Sequence, residues 1–362
     1  MPNSNGWGDG TANNTIGWGQ GSINNTIGWG SAYAVSEAGL TDIIGAPPVP
    51  FTTEWTTTAP SEQIFLPYTG TGTYSGTIDW GDGSTSVNSF ANITHTYVTA
   101  GTYKIIITGD CIGWDLASAG GSTNLTSVVN WGQLQLGPDN VGYNFAFCPN
   151  LDLSSVQGTL NLTGVTVLDG LFYECTSLTT INNINSWDTS AITTMNNMFG
   201  NCTAFNQPLT FDTSAVMSMG EMFYNCSVFN QPLSFDTSAV EFMNRMFRDA
   251  TAFNQNISSW NTGAVTDMSQ MFRDAPAFNQ NIGTWNVENV LDFTDFMLGK
   301  KPATFSTTNL NAIYNGWSTQ AVQTSLTIDF GTAQYTVAGG QAGKNILLAA
   351  PNNWTIADGG GI

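Results

Sequence analysis

The chain has 362 residues, and only 9% of them are charged, against about 25% in an ordinary soluble protein. Lys and Arg number 7 and Asp and Glu 26, a formal net charge of −19. A chain this acidic, with no basic cluster, is not expected to bind nucleic acid through phosphate contacts or to rest on an anionic membrane. Its single histidine, His95, leaves no room for a multi-histidine metal site. No run of about 18 apolar residues occurs, so no membrane insertion is expected. Residues 1 to 30 hold neither a basic n-region nor an apolar h-region, so no secretory signal is expected.

Residues 1–45 form a Gly/Trp/Asn arm. Gly6-Trp7-Gly8, Gly17-Trp18-Gly19 and Gly28-Trp29-Gly30 recur every 11 residues. A Gly/Asn linker would account for the glycines. The repeated tryptophans Trp7, Trp18 and Trp29 point instead to anchors that dock on a partner or on other copies of the chain.

Residues 46–112 alternate short β-type runs with turns, and Asp82-Gly83 is a hairpin signal. Trp80-Gly81-Asp82-Gly83-Ser84, His95-Thr96-Tyr97 and Gly101-Thr102-Tyr103 resemble a PKD domain, which implies a small immunoglobulin-like β-sandwich. Asp79 and Asp82 are weak calcium-ligand candidates. Two carboxylates are few for a site of about six to eight oxygens, and a turn-forming role explains both. His95 reads as a packing residue.

Residues 113–299 carry a second repeat. Phe199, Phe223, Phe247 and Phe272 each follow a methionine, at steps of 24, 24 and 25 residues. Phe-Asn-Gln recurs at Phe205, Phe229, Phe253 and Phe278. Val216, Met219, Met222 and Phe223 lie at helical spacing, and Ser238 with Glu241 has the form of a capping box. Leu233-Ser234-Phe235 alternates like a short strand. The expected architecture is therefore a mixed α/β solenoid of leucine-rich-repeat type, with a short strand and a short helix in each rung. Cys148, Cys175, Cys202 and Cys226 lie three residues after an aromatic, and Ala250 and Ala275 take the same position later. That exchange points to a ladder of small buried sites, a metal site or disulfides being the alternatives. The asparagine of each Phe-Asn-Gln is expected to bond its amide to neighbouring rungs. Trp187, Trp260 and Trp285 align with Phe211 and Phe235; core packing accounts for them, and exposed binding contacts are the alternative. Arg248-Asp249 and Arg273-Asp274 read as solvated ion pairs.

Residues 300–362 read as a C-terminal cap, with a helix before Gly316-Trp317 and strands at 327–330, 334–337 and 353–356.

Taken in order, a PKD-like segment, Met-Phe-x-x-Cys and Phe-Asn-Gln rungs, Asn-Gly-Trp and a closing Trp-Thr-Ile resemble BspA-like leucine-rich-repeat surface proteins. The resemblance implies an adhesive role without catalytic residues. The arm is similar to the N-terminal repeats of bacteriophage structural proteins. Together these imply a non-enzymatic virion protein, such as a tail fibre, appendage or head decoration subunit. Residues 1–45 would join it to other virion proteins or to further copies as a homo-oligomer. The rungs would meet host surface glycan or protein. The alternatives are a bacterial cell-surface adhesin and, less favoured, a virion glycan depolymerase. No cofactor is expected; structural calcium is conceivable, but no motif supports it.

Overall fold

The computed structural model describes residues 47–119, 122–137 and 142–362. The arm at 1–45, with Trp7, Trp18 and Trp29, lies outside the described residues. Val49–Ile362 form one compact unit.

The first part is all β. Strand β1 (Phe51–Thr57) pairs antiparallel with β7 (Gly101–Ile107) in unbroken register from Phe51↔Ile107 to Thr57↔Gly101. Between them in sequence run β2 (Glu62–Phe65), β3 (Tyr68–Tyr74), β4 (Thr77–Asp79), β5 (Thr85–Val87) and β6 (Thr94–Tyr97). After them come β8 (Cys111–Trp114), β9 (Leu125–Asn130) and β10 (Leu134–Gln135). The main sheet has the order β5-β4-β7-β1-β9; β10-β8-β3 and β2-β6 form two smaller sheets. Buried aromatics fill the space between them. Phe51 meets Trp114 edge-on at 4.9 Å, and Tyr97 stacks on Tyr103 at 3.8 Å. Asp82-Gly83 turns the chain from β4 to β5. Gly81 is required there, because its φ is +78° and a Cβ would lie 2.6 Å from the Lys104 carbonyl.

β9 leads into the repeats, since Ser127 bridges to Asp152 and Asn130 to Gln157, both parallel. The expected α/β solenoid is corrected from here on. Among the described residues the structure is mostly β, and its only two α-helices, α1 (Thr307–Trp317) and α2 (Val337–Leu348), lie in the C-terminal part. Within residues 142–299 neither a helix per rung nor a continuous sheet is present. Consecutive repeats meet through single parallel bridges, Thr194↔Ser218↔Phe242↔Asp267↔Asp292 and Leu209↔Leu233.

The helical spacing has a different cause. Val216 donates to Thr213, Met222 to Met219 and Cys226 to Phe223, a succession of turns closed three residues back. Glu221 (φ +58°) and Asn225 (φ +54°) interrupt any helix. Alternate amides leave the repeat altogether: those of Met219, Glu221, Phe223 and Asn225 reach the carbonyls of Phe242, Asn244, Met246 and Arg248 at 2.8–3.0 Å. A turn every three residues places Val216, Met219 and Met222 inward much as a helix would. Ser238 and Glu241 cap nothing: their amides donate to Asp236 Oδ1 and to the Met217 carbonyl.

The interior is a set of ring ladders. Phe199, Phe223, Phe247 and Phe272 stack at 5.7–5.9 Å from one repeat to the next. Phe205, Phe229, Phe253 and Phe278 stack at 6.0–6.2 Å.

In the C-terminal part, α1 begins at Ser306, whose hydroxyl accepts from the Asn309 amide. β11 (Thr327–Asp329) and β12 (Thr355–Ala357) pair in parallel. The strand expected at 334–337 is corrected. Thr336 is the N-cap of α2, and three glycines, at 339, 340 and 343, hid that helix by lowering its propensity. They serve packing: a Cβ on Gly343 would lie 2.5 Å from the Tyr314 carbonyl of α1.

Candidate functional site

The repeats place chemically similar residues in columns. The cysteine column is internal: Cys148, Cys175, Cys202 and Cys226 are buried and free. The thiols of Cys175, Cys202 and Cys226 bond to the carbonyls of Phe145, Phe172 and Phe199 at 2.9–3.1 Å. Burial raises the pKa of all three thiols, so none is poised as a thiolate ligand or nucleophile.

The asparagine column is structural as well. Asn206 Oδ1 accepts from the Asn230 amide, Asn230 Oδ1 from Asn254, and Asn254 Oδ1 from Asn279, at 2.8–3.0 Å. Glutamine side chains from the next repeat bond to the same oxygens. Thr189, Thr213, Thr237 and Thr262 form a third ladder, each hydroxyl donating to a carbonyl one repeat on.

Trp187, Trp260 and Trp285 are 5%, 5% and 0% exposed, which corrects any role as surface contacts. Trp260 and Trp285 stack on each other, and their indole N–H groups reach the Leu233 and Ile257 carbonyls. These rings are too large for the turn they occupy to leave outside.

Asp79 and Asp82 serve the β4–β5 turn: Asp79 Oδ1 accepts from the Gly81 amide, and Asp82 Oδ1 from the Ser84 amide and hydroxyl. Burial pushes the Asp82 carboxyl up, but the bonds from Ser84 and His95 outweigh it and hold the group at about 2. Among the described residues no three side chains of ligand type gather as a metal site. Ser84, His95 and Asp82 meet, yet not as a catalytic triad. Asp82 Oδ2 (2.7 Å) and Ser84 Oγ (3.4 Å) both address Nε2 of His95, the one nitrogen that would have to take the serine proton. His95 packs instead, stacked on Trp80 at 4.8 Å.

The outward columns differ from all of these. Tyr173, Gly200, Tyr224, Arg248 and Arg273 share one position: their carbonyls accept the amides of Phe147, Glu174, Asn201, Asn225 and Asp249 of the preceding repeats. All but Gly200 are partly exposed. The Arg248 guanidinium lies 5.5 Å from the centre of the Tyr224 ring. Beside this column stand Glu221 and Arg245, paired at 2.9 Å, and Asp295, paired with Arg273 at 2.7 Å. The Arg248-Asp249 and Arg273-Asp274 pairs exist, at 3.2 and 3.4 Å. Sequence reasoning anticipated side-chain bonds of the asparagines between repeats but missed the main-chain amide bonds that join them and the tyrosines of this column. A count in steps of 24 and 25 from Tyr224 to Arg248 and Arg273 would have found the column. This strip of aromatic, guanidinium and amide groups can stack on a flat ligand and hydrogen-bond to it.

Overlapping matches to one family model, described as "Mycoplasma protein of unknown function, DUF285", cover residues 140–234, 209–308 and 233–335. Together they span more than half of the chain. The chain belongs to the DUF285 family. The DUF285 match takes in the ring ladders and the outward strip, and includes neither residues 1–45 nor 46–112. No curated protein and no solved structure matches the chain.

Proposed function

We propose that this DUF285 chain is a non-enzymatic adhesion protein of a bacteriophage virion, joined to its particle through residues 1–45. On this reading the repeats present the Tyr173–Arg273 strip to host surface glycan or protein. One observation carries the proposal: the repeats turn the rings and methionines of their ladders inward, leaving Met217, Val228, Phe242 and Leu291 outside, while the outward column changes from tyrosine to arginine without altering the backbone bonds beneath it. A surface that varies on a constant support suits recognition. The strip adds aromatic faces and paired charges, which suit neutral or weakly charged sugar rings and polar loops.

A bacterial cell surface is the second reading, favoured by the mycoplasmal family to which the repeats belong. Immunogold labelling with antibody against residues 142–299 separates the two. Gold on particles supports the virion protein, and gold confined to cell envelopes replaces it with the cellular adhesin. Binding of the full chain to envelopes stripped with periodate or with protease then identifies glycan or protein as the target. Equal binding to untreated and doubly stripped envelopes would overturn adhesion by this strip.

A further inference from the structure

The open side of helix α2 is largely small and apolar, with one polar pair, Gln341 and Asn345, bonded to each other within it. Gly340, Gly343 and Leu347 are buried on one side. On the other, Ala338, Ala342 and Asn345 are exposed, as is Ala349 at the C-cap. They are flanked by Val337, Ile346 and Leu348, which are 55%, 50% and 40% exposed. Lys344, its one charged residue, turns inward to Asp358 at 2.7 Å. Three large apolar side chains left 40–55% exposed on one helix mark a face that packs, and among the described residues α2 is covered on one side only. The strand of the same repeat is equally open. Among the described residues β12 has β11 as its only sheet neighbour. Thr355 donates to Leu326 and Ala357 accepts from Phe330. The backbone groups of Ile356 between them therefore point to the uncovered side.

We infer that this end of the molecule is a self-association surface, covered by the same surface of a second copy. Charge selects that occupant. Residues 302–362 hold only Asp329, Lys344 and Asp358, a net −1 of the chain's −19. Two copies repel one another over most of their surface, and here they can approach without meeting like charge. A two-fold axis brings β12 against its mate antiparallel, so the Ile356 groups exchange hydrogen bonds, while the alanines let the two α2 helices approach closely. The inference stands apart from whatever the tyrosine–arginine strip binds.

The test is sedimentation equilibrium of the full chain at several concentrations. The expected mass is twice the 38.6 kDa of one chain, with association unchanged or tighter as salt rises. Ile346→Asp and, separately, Ala342→Arg should each weaken the dimer about tenfold or more, with thermal unfolding of the monomer unchanged. A dimer indifferent to both variants would overturn the inference, as would a wild-type monomer at every concentration. A monomer whose Leu348→Cys thiol resists labelling would assign the surface to residues 1–45 of the same chain, and one whose thiol reacts would leave it uncovered.

Discussion

Lys300 is 2% exposed and occupies the position that Cys226, Ala250 and Ala275 occupy in earlier repeats. Among the described residues its ammonium faces no carboxylate partner. It donates to the Ala275 carbonyl and, at 2.5 Å, to the Phe278 carbonyl, with the Phe278 and Phe305 rings 5.6 and 5.9 Å away. Two acids of adjoining segments are engaged elsewhere, Asp274 with Arg273 and Asp329 with the Gly331 amide. Burial lowers the Lys300 pKa from 10.5 to about 7. Below pH 7 the amine is charged in both the folded and unfolded chain. Above it the unfolded chain keeps the proton and the folded one sheds it, so stability rises with pH. The full difference between the two pKa values amounts to about 5 kcal/mol, with a slope of about 1.4 kcal/mol per pH unit. The buried thiols act oppositely, because unfolded cysteine is half ionised by about pH 8.5, and the four with raised pKa offset most of the rise there. Urea unfolding followed by tryptophan fluorescence at pH 6.5, 7.5 and 8.5 should therefore give a stability difference between the wild type and Lys300→Met that grows by about 2 kcal/mol over that range. The variant's stability at one pH decides nothing, because it loses a buried charge and also two carbonyl bonds worth about 1 kcal/mol each. An unchanged slope in Lys300→Met would refute the reasoning.

The remaining expectations concern the ladders. Cys148, Cys175, Cys202 and Cys226 should resist thiol labelling in the folded chain and react on denaturation; rapid native labelling would show an open column. Cys226→Ala should cost about 1 kcal/mol, since alanine fills that position in later repeats, whereas Cys226→Leu should cost about 1–3 kcal/mol by overpacking, both read from urea midpoints. Asn230→Ala removes the acceptor of the Asn254 amide and the Gln255 side chain and should cost about 1–2 kcal/mol, with Asn230→Asp recovering part of it. At the left-handed Asn225, Asn225→Gly should be close to neutral and Asn225→Val should cost at least about 1 kcal/mol in thermal unfolding.

Much of the repeat was legible because its period is carried by large residues. Met222, Phe223 and Phe229 return at fixed steps, and so do Cys226 and Asn230, whose column roles the exchange of cysteine for alanine and the constancy of asparagine foretold. The local conformation was not legible. Spacing of three is shared by helices and by turns in series, and of the residues that decide between them Glu221 carries no sequence mark of positive φ and Asn225 only a weak one. What permits it is the bond each amide makes to the next repeat, a tertiary fact that outweighs propensity. α2 was hidden for the converse reason: Gly339, Gly340 and Gly343 weaken any helical signal until α1 is seen against them. Lys300, read by composition alone, is a charge that belongs outside. Only the register of the cysteine column places it within.

Inward positions are bound by stacking and by ladders, so they repeat; outward positions answer to no such constraint. Tyr224 tests that separation. Its backbone amide and carbonyl belong to the array, donating to Glu221 and accepting from Asn201, but its ring meets only the half-exposed Arg248 guanidinium among the interactions described. Arg248 keeps Asp249 and Gln270 when the ring is removed. Tyr224→Ala should therefore change stability by no more than about 1 kcal/mol, the value of one partly exposed cation–π contact. If the strip is the adhesive surface, the same change should lower binding of the full chain to envelopes about tenfold, as loss of a stacking anchor does. Phe223→Ala, one residue earlier and fully buried between Phe199 and Phe247, should do the reverse. It should lower stability by about 3–5 kcal/mol and affect binding only through unfolding. Equal losses of stability in the two variants would refute the division between support and surface. Tyr224→Ala with unchanged binding would move the adhesive site away from this strip.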